Sequence, residues 1–422
     1  MSVVFQSGYT LPGGDLPLTH SRVLHAGIAM PIRSASASSE GTNFPATAVK
    51  NSLTVDRWRP FDNVVQSPSD LSDTNYWTPT RFIVGADGQT LDEGASAGVY
   101  RYITQNITTT AGEYVFGVRI QRQTMTGLRL VMNDGTNSYN ADFNLETLSV
   151  VAQTAAGADI RELPNGDIVL RIYNTLAAGA GYVRITGFDV DVNNAAYTGT
   201  NRTVRVLEAM AHLSSAWVRI DGFSAVASDV ICIAAHNLGS SIARLTLEHD
   251  ANEDDVWTAI DVISPADDST IMFFFAPITS RRWRLTVDRG VMPEIAVFRV
   301  GKALQFERPF YGNYTPAAFN RQVKILGNYS VTGELLGRSL IRVNGETTYK
   351  WNNLTESWVR ANLVGKGKLI QSIEVEPLFI AWRPGEAAEA DFVMKATVDP
   401  PASIGLRDLW SFGFSGEVYL DA

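Results

Sequence analysis

The sequence predicts a mainly β chain built from antiparallel β-sandwiches (jelly rolls), one of them split by the insertion of another. Three observations carry the prediction. Short runs of alternating apolar and polar residues recur along most of the chain, separated by turn signals. Amphipathic helical stretches are missing between those runs, which points to a sandwich or jelly roll. Aromatic residues make up 10% of the chain, with 9 Trp, 14 Tyr and 19 Phe, a composition that favours strands and broad packed sheets. At 422 residues the chain is long for a single core and predicts two to four domains.

Residues 1–27 carry Gly8, Pro12, Gly13, Gly14 and Pro17 with little periodicity. They read as an irregular arm, ordered by whatever it lies against, fraying in a monomer and free to reach a neighbour in an assembly. Residues 28–66 hold an Ala/Ser run followed by Asp56-Arg57-Trp58-Arg59. From 67 to 205 the texture changes to closely spaced strands. Tyr114-Val115-Phe116-Gly117-Val118-Arg119-Ile120 and Leu128-Arg129-Leu130-Val131-Met132 are two of them, and Asn133-Asp134-Gly135 is a hairpin turn, because Asn, Asp and Gly tolerate positive φ. Asn165-Gly166 gives the same signal before the strand at 168–172. Between 206 and 303, Ala243-Arg244-Leu245-Thr246-Leu247-Glu248 and Trp283-Arg284-Leu285-Thr286-Val287-Asp288 alternate cleanly, the period of a half-buried strand. Residues 304–422 form a β-rich C-terminal domain with one short helix, predicted over 353–363 from Leu354, Trp358 and Ala361 and stopped by Gly365-Lys366-Gly367.

The net charge of −9, without a local Lys/Arg cluster, argues against nucleic acid as a partner. Cys232 is the one cysteine, so the chain forms no internal disulfide and no thiolate metal cage; within Val230-Ile231-Cys232-Ile233 it reads as a buried, inert thiol. Residues 1–18 lack the charged region and apolar core of a signal peptide. The longest apolar run, 271–276, suits one buried strand and no membrane span. The expectation is a soluble protein assembled in a reducing cytoplasm.

No chemistry-bearing motif stands out. The histidines, His20, His25, His212, His236 and His249, have neither metalloprotease spacing nor a nucleophile elbow beside them. Ala235-His236-Asn237-Leu238-Gly239 reads as a loop between strands rather than a catalytic site. The acidic run from Asp250 through Asn252 and Asp254 to Asp255 opens like a calcium loop, but Asp255 and Asp261 stand where that loop needs Gly and a bidentate Glu; an acidic hairpin tip is the plainer reading. Gly365-Lys366-Gly367-Lys368 follows no strand and is no phosphate loop. The expectation is therefore a non-enzyme without cofactor or metal. Trp77, Tyr100, Tyr102 and Tyr139 are the candidate glycan-stacking residues, with core and hairpin packing as the competing role.

Ser36-Ala37-Ser38-Ser39-Glu40, Pro45-Ala46-Thr47-Ala48-Val49 and Arg57-Trp58-Arg59 resemble the opening of discoidin-like (galactose-binding-like) sandwiches. The continuation lies beyond residue 213, in Trp217-Val218-Arg219-Ile220, Asp255-Val256-Trp257 and Arg281-Arg282-Trp283-Arg284-Leu285. The resemblance therefore implies one discontinuous sandwich, 28–66 with 206–303, split by an insert. That insert, 67–205, resembles the carbohydrate-binding-like jelly rolls of phage virion proteins through Asn75-Tyr76-Trp77, Ala111-Gly112-Glu113-Tyr114 and Leu163-Pro164-Asn165-Gly166.

Phe319-Asn320-Arg321, Gly333-Glu334-Leu335-Leu336-Gly337-Arg338, Asn353-Leu354, Pro377-Leu378-Phe379-Ile380-Ala381-Trp382-Arg383-Pro384 and Phe412-Gly413-Phe414-Ser415-Gly416 resemble the C-terminal region of tail proteins of long-tailed phages; residues 386–391 depart from that pattern. The resemblance implies a minor tail or tail-tip component located in the virion, with other tail proteins and copies of itself as partners. In that setting the C-terminal domain and the arm dock on the tail, through apolar patches near Phe306, Phe310 and Tyr311. The alternative is an adhesin recognising a host-surface glycan through the insert; a glycan-degrading enzyme finds no support in the residues.

Overall fold

The computed structural model describes residues 2–41, 43–50, 53–60, 63–95, 98–190, 193, 195–310, 314–329, 332, 335–405 and 408–420. The chain is mainly β, arranged as antiparallel sheets. Two six-stranded sheets face each other between Trp77 and Leu213, so the strand Thr203–Leu213, expected in the split sandwich from residue 206, pairs within the insert instead. The outward sheet runs Ser149–Gln153, Ser138–Asn144, Gly127–Asn133, Gly179–Phe188, Tyr102–Thr109, Trp77–Thr80. The inward sheet runs Gly157–Glu162, Ile168–Leu176, Gly112–Arg122, Thr203–Leu213, Thr90–Asp92, Ile83–Val84. Strand alternation sends Ile103, Leu128, Leu130, Met132 and Ile185 inward from one sheet to meet Phe116, Val118, Ile120, Leu170 and Ile172 from the other. Gly135 has φ 90°, and Asn133 and Asp134 accept the backbone N–H groups of the turn, so the local chemistry fixes the hairpin register.

The second sandwich is built on two long strands, Ser215–His236 and Ile271–Asp288, which pair along both of its layers. Their pairing breaks between Asp221 and Val226, where the sheet turns from the front layer to the rear. Arg244–Asp250, Thr258–Ile263 and Ile32–Ala37 complete the front; Val3–Phe5 and Ile295–Gly301 complete the rear. Trp58, Phe273, Phe275, Trp283 and Phe298 fill the space between.

The rear layer is buried a second time. Its outer face, with Val230, Cys232, Met272, Phe274 and Val297, packs against Phe379, Ala381 and Phe392 of the C-terminal sheet. Double burial explains why 230–235 and 271–275 read as continuous apolar runs. Cys232 lies within this junction, and burial pushes its thiol well above the usual range.

The C-terminal sheet runs Leu304–Gln305, Arg22–Leu24, Leu378–Ala381, Asp391–Ser403, Leu409–Tyr419, Leu335–Thr355, Arg321–Tyr329. The chain's first segment thus supplies a strand to each of two domains. The expectation of an irregular, fraying arm is corrected at Val3–Phe5 and Arg22–Leu24, whose backbone groups are paired in sheets. The predicted helix appears as α1, Glu356–Asn362, capped by the Thr355 hydroxyl, which accepts the N–H of Trp358. A second helix, α2, Leu369–Val375, follows the two glycines, where one helix was expected.

Phe306 and Phe310 are core residues, not interface patches: Phe306 stacks on Trp351 with centroids 3.8 Å apart, and Phe310 meets the same indole edge-on. Tyr311, like Gly333 and Glu334 of the tail-like motif, lies outside the described residues. Ahead of Asn344, the pair Arg321–Tyr329 and Leu335–Thr355 leaves the sheet as a two-stranded ribbon. Among the described residues, no helix is long and apolar enough to cross a membrane.

Candidate functional site

The inward sheet of the insert is occupied. Val115, Val169 and Met210 on its outer face pack against Ile242 and Val291 of the split sandwich, and the buried Arg171 guanidinium donates to the carbonyls of Ile242 and Arg289. A Cβ on Gly117 would lie 2.7 Å from Val291 Cγ2, so the two bodies meet at van der Waals distance. The outward sheet is the face this packing leaves for a ligand.

Pairing registers decide which side chains share that face. Arg184 lies opposite Val131 and Thr104, Tyr182 opposite Asn133 and Asn106, and Tyr102 opposite Thr186. The Arg184 guanidinium carbon sits 4.1 Å from the ring centroid of Tyr102 and 4.5 Å from that of Tyr182, and its Nε donates to Thr104 Oγ1 at 2.9 Å. Each such cation–π contact contributes about 0.5–1 kcal/mol at a partly exposed site and, more to the point, fixes ring orientation. One step along, Arg129 grips Asp142 with both Nε and Nη2; this hydrogen bonding raises the Arg129 pKa above its ordinary value. Tyr100 is 53% exposed.

The structure therefore separates the four predicted aromatics. Tyr100 is exposed in a separate two-stranded sheet, paired with Ala196, and Tyr102 lies on the outward face. Trp77 does not: its indole is fully buried and its Nε1 donates to the Ser67 carbonyl at 3.0 Å, leaving no ring face for a sugar. Tyr139 pairs with Met132, an inward position, and packs on the core. Tyr182, Arg184, Arg129 and Asp142 were missed, although the alternation Tyr182-Val183-Arg184-Ile185-Thr186 already places Tyr182 and Arg184 on one side.

Elsewhere, the Asp250 carboxylate accepts the N–H groups of Glu253, Asp254 and Asp255 and pairs with Arg282 at 3.0 Å. The acidic run is a turn folded around its own first residue, and no metal-holding cluster occurs among the described residues. His236 is fully buried, with Nε2 on the Ser269 carbonyl and Nδ1 accepting the Leu238 N–H, so neither nitrogen is offered to a substrate.

No protein-family model matches the chain, and no curated protein matches it. Among solved structures, it is similar to the CBM32-1 and CBM32-2 domains of Clostridium perfringens ZmpB in complex with GalNAc, at 7% identity and TM-score 0.18, covering 70% of this chain and 100% of that one. It is also similar to a fucolectin from striped bass (Morone saxatilis) serum, at 10% identity and TM-score 0.19, covering 66% of this chain and 99% of that one. An allantoicase gives 13% identity and TM-score 0.18, covering 61% of this chain and 96% of that one. With TM-scores this low, the reading of the site rests on its own geometry.

Proposed function

We propose that the chain is a non-catalytic recognition protein whose inserted sandwich binds a cell-surface glycan on its outward sheet, as a component of a bacteriophage tail. The observation that carries the glycan reading is the Arg184 guanidinium held between Tyr102 and Tyr182, beside the Arg129–Asp142 fork. Rings held in place offer apolar faces to the C–H side of a pyranose, while fixed donors and acceptors meet its hydroxyls at little ordering cost. Single sheet-face sites of this kind bind weakly, and many copies on one particle would supply avidity. A printed glycan array probed with the full chain tests the reading. Arg184→Ala and Tyr182→Ala are expected to lower binding at least about ten-fold; array signals unchanged in both variants sink it. The tail setting draws its support from the C-terminal resemblance, and mass spectrometry of purified virions that finds none of this chain defeats it.

A second reading, assembly, is favoured by the C-terminal ribbon. Val323, Ile325 and Leu326 are 49%, 50% and 62% exposed there, and Phe319 at its base is 79% exposed. Neighbouring residues of a strand point to opposite sides, so Ile325 and Leu326 leave both faces of the ribbon apolar. Arg321, Lys324 and Arg338 make it basic in a chain of net charge −9, which suits a second copy as occupant.

A further inference from the structure

The front layer of the split sandwich carries a separate aromatic–guanidinium face. Trp217, Arg219 and Asp221 on one strand stand opposite Thr286, Arg284 and Arg282 on the next, and Arg284 in turn stands opposite Glu248. Their neighbours Val218, Ile220 and Leu285 point into the core, so these side chains face outward. Trp257, from the loop before the edge strand Thr258–Ile263, lies across them. Its ring centroid is 4.3 Å from the Arg284 guanidinium carbon and 5.7 Å from that of Arg219.

The ring therefore spends one face on guanidinium groups rooted in the sheet. Trp257 is half-buried, so part of the indole stays open to a ligand. Trp217, also half-buried, borders the same Arg284 at 5.8 Å. Nothing beneath the platform is loose. Arg284 donates to Glu248 through Nε and Nη2 at 2.7 and 2.8 Å, and Thr286 adds a hydroxyl donor at 2.6 Å. Arg219 forks onto Asp221 at 2.9 and 3.0 Å, and Arg282 reaches Asp250 at 3.0 Å and Asp255 at 3.2 Å.

Three guanidiniums are thus matched by the carboxylates of Glu248, Asp221, Asp250 and Asp255, leaving the face slightly acidic overall. An anionic ligand is repelled, whereas a neutral polyhydroxylated ring finds an apolar plate flanked by lone pairs. The exposed hydroxyls of Ser34 and Ser36 extend the polar side of the face along the adjoining strand.

We propose that this face is a second carbohydrate site, stacking a neutral hexose on Trp257, distinct from the site on the insert and independent of it. The chain would then hold two glycans at once on two rigidly joined sandwiches. The test uses the full chain on a printed glycan array, followed by titration with methyl glycosides of glucose, galactose, mannose and N-acetylglucosamine. The readout is Trp fluorescence. Trp257→Ala and Trp257→Leu are compared with Arg184→Ala; leucine keeps an apolar cover over Arg284 but removes the plate, and thermal melting verifies folding.

The expected result is a class of glycans whose binding falls at least about ten-fold in both Trp257 variants yet survives in Arg184→Ala. A wild-type array pattern in both Trp257 variants overturns the proposal, as does loss of all binding in Arg184→Ala. Loss of all binding in the Trp257 variants alone defeats the insert site instead. A chain that binds no glycan but captures a protein through this face overturns the second site outright.

Discussion

His25, His212 and His236 are buried, and the first two stand where two parts of the molecule meet. His212 Nδ1 donates to the Leu213 carbonyl while Nε2 accepts the N–H of Met292, tying the insert to the split sandwich. His25 lies with Arg299, Glu376 and Phe379 between the rear layer and the C-terminal domain. Burial lowers all three from an ordinary 6.5 to about 4. Between those values the unfolded chain binds protons that the folded chain does not, so stability present above pH 6.5 is lost as pH falls towards 4. Each buried ring contributes on the order of 3 kcal/mol to that loss.

Asp229 has the opposite sign. Burial pushes its carboxyl up to about 6, so the folded state holds a proton that the unfolded state has released, and stability falls as pH rises from 3.8 through 6. Asp229→Asn, which keeps the acceptor for the Ala303 N–H, is expected to stabilise the chain at pH 7 by roughly 1–3 kcal/mol and to do nothing below pH 4. Wild-type melting should still drop between pH 7 and 4.5, because three histidines outweigh one aspartate; a flat profile in differential scanning calorimetry contradicts the assignment. These residues were visible in the sequence but their burial was not. Phe306 and Phe310 show the same limit in reverse, since an aromatic side chain suits a core and an interface equally well.

At the scale of elements, the strands were legible where one face is wet, because alternation then records the burial directly. The hairpin at 133–135 and the strands around it follow from residue type alone. The outward face as a site was not legible, since Tyr102 and Tyr182 become neighbours only through the pairing of Tyr102–Thr109 with Gly179–Phe188. The second helix, Leu369–Val375, lies behind Gly365-Lys366-Gly367, a stop signal that closed the helical reading.

The ribbon carries its own prediction. Val323→Ser, Ile325→Ser and Leu326→Ser combined should leave the melting temperature within about 2 °C, because exposed positions contribute little to folding. The same triple variant should lose salt-sensitive self-association in light scattering coupled to size-exclusion chromatography. Identical oligomers in variant and wild type exclude the ribbon as the contact.

For the whole molecule, the three bodies are locked rather than tethered. Gly117→Val places a side chain against Val291 and against the Leu170 carbonyl, 3.3 Å from the position a Cβ would take, and should cost roughly 1–3 kcal/mol while opening the insert to limited proteolysis. A variant that resists protease as wild type does would show that the junction yields. Removing residues 2–24 should be harsher, since it strips a strand from the rear layer and another from the C-terminal sheet. Local pattern in the arm gave no hint of this, because Val3 pairs with Met272 and Val23 with Ile380, separations no periodicity records.

Those pairings also set a timetable for synthesis. The arm leaves the ribosome well before its partners: Phe5 waits for Phe274, and Leu24 for Phe379. At typical translation speeds the delay is on the order of tens of seconds, during which the insert can complete its own sheets while the arm's apolar strands stay uncovered. Closure therefore waits on residues made long after the arm: a stop before Ile271 leaves both arm strands unclaimed, and one between Asp288 and Leu378 leaves Arg22–Leu24 without its partner Leu378–Ala381.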